Sequence, residues 1–534
     1  MPEPRPTGVA PRTQPRVRGN DWRSLEPPRL GEWQPTLTVS VVVPAHRAEG
    51  TLPSVLAALA AQTYPAELLE VVVVDDGSDP PLRLPSLRPE RTRILTTQGS
   101  WGPASARHVG ALAAVGDVLH WLDADMLLHR DEVEAQLRWH HLLDHAVVLG
   151  TKTFVDVSDG LPDPSTVLEA VREGRTADLF PGRWTAPHDW VEDHLQRTDG
   201  LTSNPTASFL VHVGASASVS RALYVESGGM DESLRRGEDV ELGYRLSQLG
   251  AVFVPDQDAR SWHLGPSALM QQRDDVRRYN RPFVTDRIPS VRHWRTKGRG
   301  YTVPWVEVVV DATGATFEEV RHSVNGALTG SVADVVVLVT GPWHRLSGQR
   351  HEVLLDPDRE LRMLHAEFAG EARVRFVEEA PATAFPATYR LRLPVGWSPG
   401  RDSVRRLAVE MARRDRGLVS LLTPDGRVGR LERTSAFSRA MRLRGPGEDL
   451  DAVVDDVSRT WWYEAVEEGF TSHAAPDAEA AEPAPSAPAG TARRGAARRR
   501  ALGRQPTAPQ PAPPGPSTRL RRLARRTLRR ALRR

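Results

Sequence analysis

The sequence predicts an α/β protein with a mostly parallel central sheet, and it predicts that architecture twice along the chain. Three observations carry this. Short β-branched runs such as "VSVVV" and "VVVV" alternate with stretches of helical spacing. The runs are apolar throughout rather than alternating, as strands covered on both faces are. The strand, helix, strand order of the first quarter returns from about residue 303.

Residues 39 to 43, "VSVVV", read as a buried strand closed by Pro44. Residues 51 to 62 carry Leu52, Val55, Leu56 and Leu59 at helical spacing, and "VVVVDDGSD", 71 to 79, reads as a second strand ending in acids and Gly. Strand, helix, strand implies a parallel crossover. A helix follows at about 103 to 115. The next strand, "VLHWLDADML" at 118 to 127, stops at two carboxylates on either side of Ala124. In the second half, "GLVSLLTPD" (417 to 425) has the outline of "DVLHWLDAD" (117 to 125), and "AFSRAM" (436 to 441) that of "SVSRAL" (218 to 223). An internal duplication is expected. The second copy has lost most acids, which suits a scaffold, acceptor-binding or dimerising role. Its "GED" at 447 to 449 lies too near the preceding "SRA" and is taken as coincidence.

Composition sets the limits. With 534 residues, two or three domains are expected, and with no Cys neither disulfides nor thiolate metal sites can form. No apolar run of about 18 residues marks a membrane span, and the N-terminus has no apolar signal core. Lys stands only at 152 and 297, so Arg supplies nearly all positive charge. Beyond Glu482 there are 15 Arg and no acid, so an acidic body carries a basic tail. The expected divisions are a disordered segment at 1–36, a catalytic domain at 37–300, a second α/β domain at 301–472, a disordered Ala/Pro-rich linker at 473–518 and an Arg-rich amphipathic helix at 519–534.

The carboxylates suggest the chemistry. A strand ending in "DAD" puts acids at the carboxyl edge of a parallel sheet, where open α/β folds bind ligands. Asp75 and Asp76 arrive at the same edge. Four acids cannot attract phosphate unaided, so a hard divalent cation, Mg²⁺ or Mn²⁺, with a nucleotide diphosphate is the matching ligand.

Taken together, "SVVVPAHRAEGTL" (40 to 52), "VVVVDDGSD", "GPASARHVG" (102 to 110), "GDVLHWLDAD" (116 to 125) and "GGMDESLRRGEDVELGYRL" (228 to 246) resemble the family 2 glycosyltransferases. The resemblance implies the GT-A fold for the first domain, with a degenerate GT-A-like copy after it. It implies an inverting transfer of a sugar from a nucleotide-diphosphate sugar, with UDP the expected nucleotide, to a hydroxyl of a saccharide or lipid-linked cell-envelope acceptor. Pro44, Ala45, Asp75, Asp76, Arg107 and Asp123 would then hold the nucleotide-sugar. Asp125, with Asp123 and His263, would hold Mn²⁺ or Mg²⁺. Glu238 and Asp239 form the "ED" pair, with Asp239 the general base. His108 departs from the family's usual Asn after the Arg. Trp184, Trp190 and Trp262 stack on sugars or fill a core. Competing readings are a nucleotidylyltransferase-like enzyme, for which the loop after the first strand is a poor match, and a non-catalytic polyanion- or membrane-binding protein acting through the Arg-rich tail. Expected partners are the donor, the acceptor, an anionic membrane surface bound by the tail and, for a dimer, a second copy of the chain. No specific nucleic acid is expected. The expected location is cytoplasmic, at the membrane's cytoplasmic face.

Overall fold

The computed structural model describes residues 14–296, 299–332, 334–348 and 352–473. The Arg-rich helix expected at 519–534 and all but the first residue of the expected linker lie outside the described residues. Among those described, no helix is long and apolar enough to cross a membrane.

The first domain comprises β1 (Val39–Ala45), α1 (Leu52–Leu59), β2 (Leu69–Asp75), β3 (Thr92–Thr96), α2 (Pro103–Ala113), β4 (Val118–Leu122), β5 (Met126–Leu128), α3 (Glu132–His140), β6 (Ala146–Val155), α4 (Pro164–Arg172), β7 (Thr185–Pro187), α5 (Asp189–Arg197), β8 (Ser216–Ser220), α6 (Arg221–Glu226), α7 (Glu238–Gln248), β9 (Val252–Leu264), α8 (Ala268–Gln271) and α9 (Arg273–Arg287). One sheet runs β3-β2-β1-β4-β8-β6-β9-β5, with β7 beside β6. β1 pairs in parallel with β2 and β4, so all three deliver their carboxyl ends to one edge. The unbroken Val runs follow from burial on both faces. Val41 and Val43 pack with α1, whereas Val42 packs with Ala104 and Ala111 of α2.

The second domain comprises β10 (Val306–Asp311), α10 (Phe317–Thr329), β11 (Val335–Thr340), α11 (Arg359–Phe368), β12 (Val374–Val377), β13 (Tyr389–Leu393), β14 (Trp397–Pro399), α12 (Ser403–Arg413), β15 (Arg416–Leu422), β16 (Val428–Arg433), α13 (Thr434–Leu443), α14 (Leu450–Val457), β17 (Arg459–Glu464) and β18 (Phe470–Ser472). Its main sheet runs β12-β11-β10-β13-β16-β15-β17. Strand for strand this is the order β3-β2-β1-β4-β8-β6-β9, with the same parallel and antiparallel senses.

The topology corrects three sequence readings. First, "GLVSLLTPD" forms β15, the counterpart of β6, so it does not match "DVLHWLDAD". The counterpart of β4 is β13, and the residues linking β4 to β5, Asp123, Ala124 and Asp125, become Pro394, Val395 and Gly396 between β13 and β14. Asp425 is instead held by Arg427 at 2.7 Å. No helix replaces α2 between β12 and β13. Second, the "GED" at 447 to 449 leads into α14, which stands before β17 as α7 stands before β9, but in a different register: Gly237 caps α7 and Glu238 and Asp239 are its first residues, whereas Asp449 itself caps α14 and Gly447 lies two residues before the cap. Both glycines are left-handed, φ 77° at Gly237 and 78° at Gly447. Third, residues 14–36 are not a disordered leader. Val17 is buried, Asn20 exchanges two hydrogen bonds with the Phe253 backbone, and Arg16 pairs with Glu448 and Asp456. The anchoring groups lie far along the chain, which is why composition alone read this segment as unstructured.

The two domains meet behind α7. Tyr244, in the middle of α7, donates to the carbonyl of Pro386 at 2.7 Å. Arg439 of α13 is buried and donates to the carbonyls of Gly250, Ala251, Val17 and Gly19. One side chain thus ties the second domain to the turn after α7 and to the N-terminal segment.

Candidate active site

A cleft of about 820 Å³ opens at the carboxyl edge of β1, β2 and β4. Pro44, Ala45, Asp76, Arg107, Asp123, Asp125, Glu238, Asp239 and His263 all line it. Asp75 does not, and here the sequence reading is corrected. Adjacent residues of a strand face opposite sides. Asp75 turns into the protein and accepts hydrogen bonds from the Ser78 and Leu82 amides at 2.9 Å, so it shapes the turn after β2. Asp76 faces the cleft, with Gly102 N–H at 2.7 Å and the Thr97 hydroxyl at 3.0 Å on its carboxylate.

Arg107 organises the floor. It comes from α2, is 4% exposed, and bridges Asp123 at 2.5 Å and Glu238 at 2.7 Å. A guanidinium forks well between two carboxylates. Gly214 lies under it, where a Cβ would meet the guanidinium carbon at 2.6 Å. The charge pair thus couples the strand that ends in "DAD" to the helix that starts with "ED". Burial beside Asp239 pushes Glu238 up to about 7.

Asp125 is the least satisfied acid. Its Oδ1 is buried without a hydrogen-bond partner. Desolvation of its carboxylate, and then the charge of Asp123, push its pKa up to about 7, although 40% of the side chain is open to the cleft. His263 on β9 pairs with Met126 on β5, which sets its Nε2 3.8 Å from Asp125 Oδ2, while its Nδ1 bonds the Gly265 carbonyl at 3.0 Å. Burial lowers His263 to about 4, so the ring is neutral and its Nε2 is a free lone pair. An orphaned carboxylate oxygen beside a neutral imidazole fits a divalent cation. No three His, Asp or Glu side chains converge as a ligand set among the described residues, so a cation here would take its remaining ligands from phosphate oxygens and water, as Mg²⁺ and Mn²⁺ do.

Asp239 lies in the first turn of α7. Its Oδ2 accepts from Gly214 N–H at 3.2 Å and its Oδ1 from Val240 N–H at 2.8 Å. His212 holds its main-chain carbonyl at 2.6 Å. His108 meets the Tyr224 hydroxyl at 2.7 Å, which leaves Arg107 undisturbed.

The stretch 151 to 213 builds one wall through β6, α5 and the residues beside them, His188 and Val213. Trp190 lines the cleft, Trp262 packs edge-on to Phe180 in the core, and Trp184 is 54% exposed. Sequence reasoning missed Lys152 and His188, which also line the cleft. The one available signal was that Lys152 is among only two Lys in an Arg-rich chain.

A parallel-sheet edge that gathers Asp76, Asp123, Asp125 and the helix-start acids into one cleft is where open α/β folds bind ligands. Residues 40–196 match the family model "Glycosyl transferase family 2". The first domain is a family 2 glycosyltransferase domain of the GT-A fold. Among curated relatives, the hyaluronan synthase of Pasteurella multocida is 23% identical over 325 residues, 56% of this chain and 32% of its own length. The validoxylamine A glucosyltransferase of Streptomyces hygroscopicus subsp. limoneus is 30% identical over 237 residues, 42% of this chain and 50% of its own. The chain thus spans between a third and a half of these two relatives. Among solved structures, that of GalNAc-T7 with UDP, GalNAc and Mn²⁺ is 18% identical, covering 47% of this chain and 48% of that one, with a TM-score of 0.32.

Proposed function

We propose that the protein is an inverting, metal-dependent glycosyltransferase that moves a sugar from a nucleotide-diphosphate sugar, UDP being the expected nucleotide, to a hydroxyl of a saccharide or lipid-linked acceptor. The observation that carries this is the convergence of Asp76, Asp123, Asp125 and Asp239 on one cleft, with Arg107 joining two of the elements that supply them. The family match of the first domain supports it.

Each residue then has a task. Asp76 and Arg107 flank the nucleotide. Asp125 and His263 would hold the cation, which when bound would offset charge on the departing diphosphate. Asp239 takes the proton of the acceptor hydroxyl. That oxygen attacks the anomeric carbon from the face opposite the diphosphate. The anomeric C–O bond breaks, its electron pair stays on the terminal phosphate oxygen, and the anomeric centre inverts. The backbone amides of Gly214 and Val240 keep Asp239 aimed while it is ionised.

The test is a thermal-shift panel of nucleotide-sugars with and without Mn²⁺, followed by a donor-hydrolysis assay. A binder raises the unfolding midpoint by mass action. The reading expects at least one nucleotide-sugar to stabilise the protein only with the cation, and Asp125→Asn to abolish that shift. Failure of every nucleotide-sugar to bind would refute it.

A further inference from the structure

Lys152 lies on β6 and is 7% exposed. Among the described residues its ammonium makes no hydrogen bond, and no carboxylate comes within 4.0 Å of it. None of the acids around it closes on it, although the Oδ1 of Asp125 has no hydrogen-bond partner. Asp123 and Glu238 close on Arg107, and Asp239 accepts from two amides. Asp125 faces His263. The imidazoles of His188 and His263 are also near, and both are held neutral by burial. Burial lowers Lys152 itself to about 8, against the pull of Asp123, Asp239 and Asp125, so it remains charged at neutral pH. An ammonium that three acids attract but none pairs with directly gains a charge-assisted contact when a ligand carboxylate closes on it.

Its position suggests which ligand. Lys152, His188 and Val213 form the partition between the cleft and a second cavity of about 320 Å³. That cavity is walled by β6, α5 and the segment before β8. Its surface mixes the apolar Leu195, Val211 and Pro255 with Thr151, Ser216 and Gln257, a lining suited to a sugar ring. The segment Val211–Gly214 that bounds it is the one that holds Asp239, through His212 and Gly214. The cavity therefore lies on the general-base side of the cleft.

We propose that this cavity is an acceptor subsite for a uronate sugar, whose carboxylate pairs with the Lys152 ammonium. This rests on the reading of Asp239 as the base that faces the acceptor. One ammonium among acids balances one carboxylate. A phosphate dianion would need more donors than the partition offers, and Glu192 at the cavity would oppose it further.

The experiment is saturation-transfer NMR on the full chain, with methyl β-D-glucuronide and methyl β-D-glucoside as probes, for wild type, Lys152→Met and Lys152→Arg. Met keeps the chain length without charge, and the thermal midpoints verify folding. The glucuronide should bind wild type about 10-fold or more tighter than the glucoside, and Lys152→Met should erase that difference while Lys152→Arg retains much of it. Equal binding of the two probes to wild type, or a preference that survives in Lys152→Met, would overturn the proposal. A second arm compares turnover of UDP-glucuronate with UDP-glucose. If Lys152 instead governs a preference for the uronate donor, the carboxylate belongs to the donor and the acceptor assignment falls. Binding of the probes is read without turnover, so loss of the glucuronide preference in Lys152→Met supports the subsite even if no nucleotide-sugar is consumed, the outcome that would count against the glycosyltransferase reading alone.

Discussion

Arg439→Ala should be among the most damaging single substitutions far from the cleft. The guanidinium donates to Gly250 at 2.7 Å, Ala251 at 2.9 Å, Val17 at 3.1 Å and also to Gly19, all main-chain carbonyls. Hydrogen bonds from a charged donor contribute roughly 1.5–3 kcal/mol each, so four give about 6–12 kcal/mol. Against this stands the cost of burying the cation. Burial lowers Arg439 to about 10, a penalty of about 3 kcal/mol that the variant no longer bears. A cavity of about 290 Å³ beside Arg439 lets water reach some of the freed carbonyls. The net expectation is a loss of roughly 3–5 kcal/mol, within the range for breaking a buried charged network. Urea unfolding followed by Trp fluorescence measures it, with Arg442→Ala as the control. Arg442 pairs with Glu226 across the same interface but in partial exposure, and should cost less than about 1 kcal/mol. A loss below about 1 kcal/mol for Arg439→Ala, or no difference from the control, would refute the view that this residue joins the domains.

Further expectations follow from the cleft and the core. Asp239→Asn should keep donor binding by calorimetry while transfer drops by about 10² or more, and a variant that loses donor affinity but keeps its maximal rate would remove Asp239 from the role of base. The buried histidines should lower stability in acid, while Asp125 and Glu238, both raised to about 7, act in the opposite sense in the same range. Buried His140 and His145 are lowered by desolvation to about 3 and about 4 from 6.5, so the unfolded chain binds more protons between those values. Their contribution is present above pH 6.5 and is lost as pH falls toward 3, on the order of 4 kcal/mol by pH 5; a His140→Gln, His145→Gln variant whose unfolding free energy changes from pH 7 to 5 just as the wild type's does would contradict it. Removing residues 517 to 534 should abolish sedimentation with anionic vesicles at low salt, and full sedimentation of the truncated chain would dismiss the tail as an anchor.

What the sequence disclosed depended on the kind of signal. β1 and β2 were legible because a four-Val run has few alternatives to a doubly buried strand. The cleft acids were legible because charge at a strand end is costly and therefore informative. Asp75 and Asp76 were not separable, because which of two neighbours faces the ligand depends on the turn after the strand, and that turn is built by the Ser78 and Leu82 amides. The repeat was legible but its register was not. β13 reads "YRLRL" and β15 reads "RGLVSLL", and the more apolar of the two looked like β4. Hydrogen-bonded order, not hydropathy, decides the matter: β13 lies parallel to β10, as β4 lies parallel to β1. Lys152 carried almost no local signal, since its meaning comes from having no partner within a cleft assembled from distant segments.

The two "GED" turns show how one local structure was put to separate uses. Both place a left-handed Gly before a helix, and both put acids where the positive end of a helix dipole favours them. In α14 the acids serve stability. Asp449 caps the helix by accepting from Ala452 N–H at 3.0 Å, and Glu448 accepts from Gly445 N–H at 2.7 Å and pairs with Arg16. In α7 the Glu and the Asp are instead the first two residues of the helix, and both line the cleft. Glu238 is buried against Arg107, and no side chain caps the helix. A capping bond typically contributes about 1 kcal/mol, so α7 starts at a disadvantage that α14 does not share. The second domain is placed to offset it. Tyr244 and the turn after α7 are bonded to Pro386 and Arg439, so the helix is held from its middle and its far end. The copy without cleft acids thus secures the helix whose first turn carries Asp239.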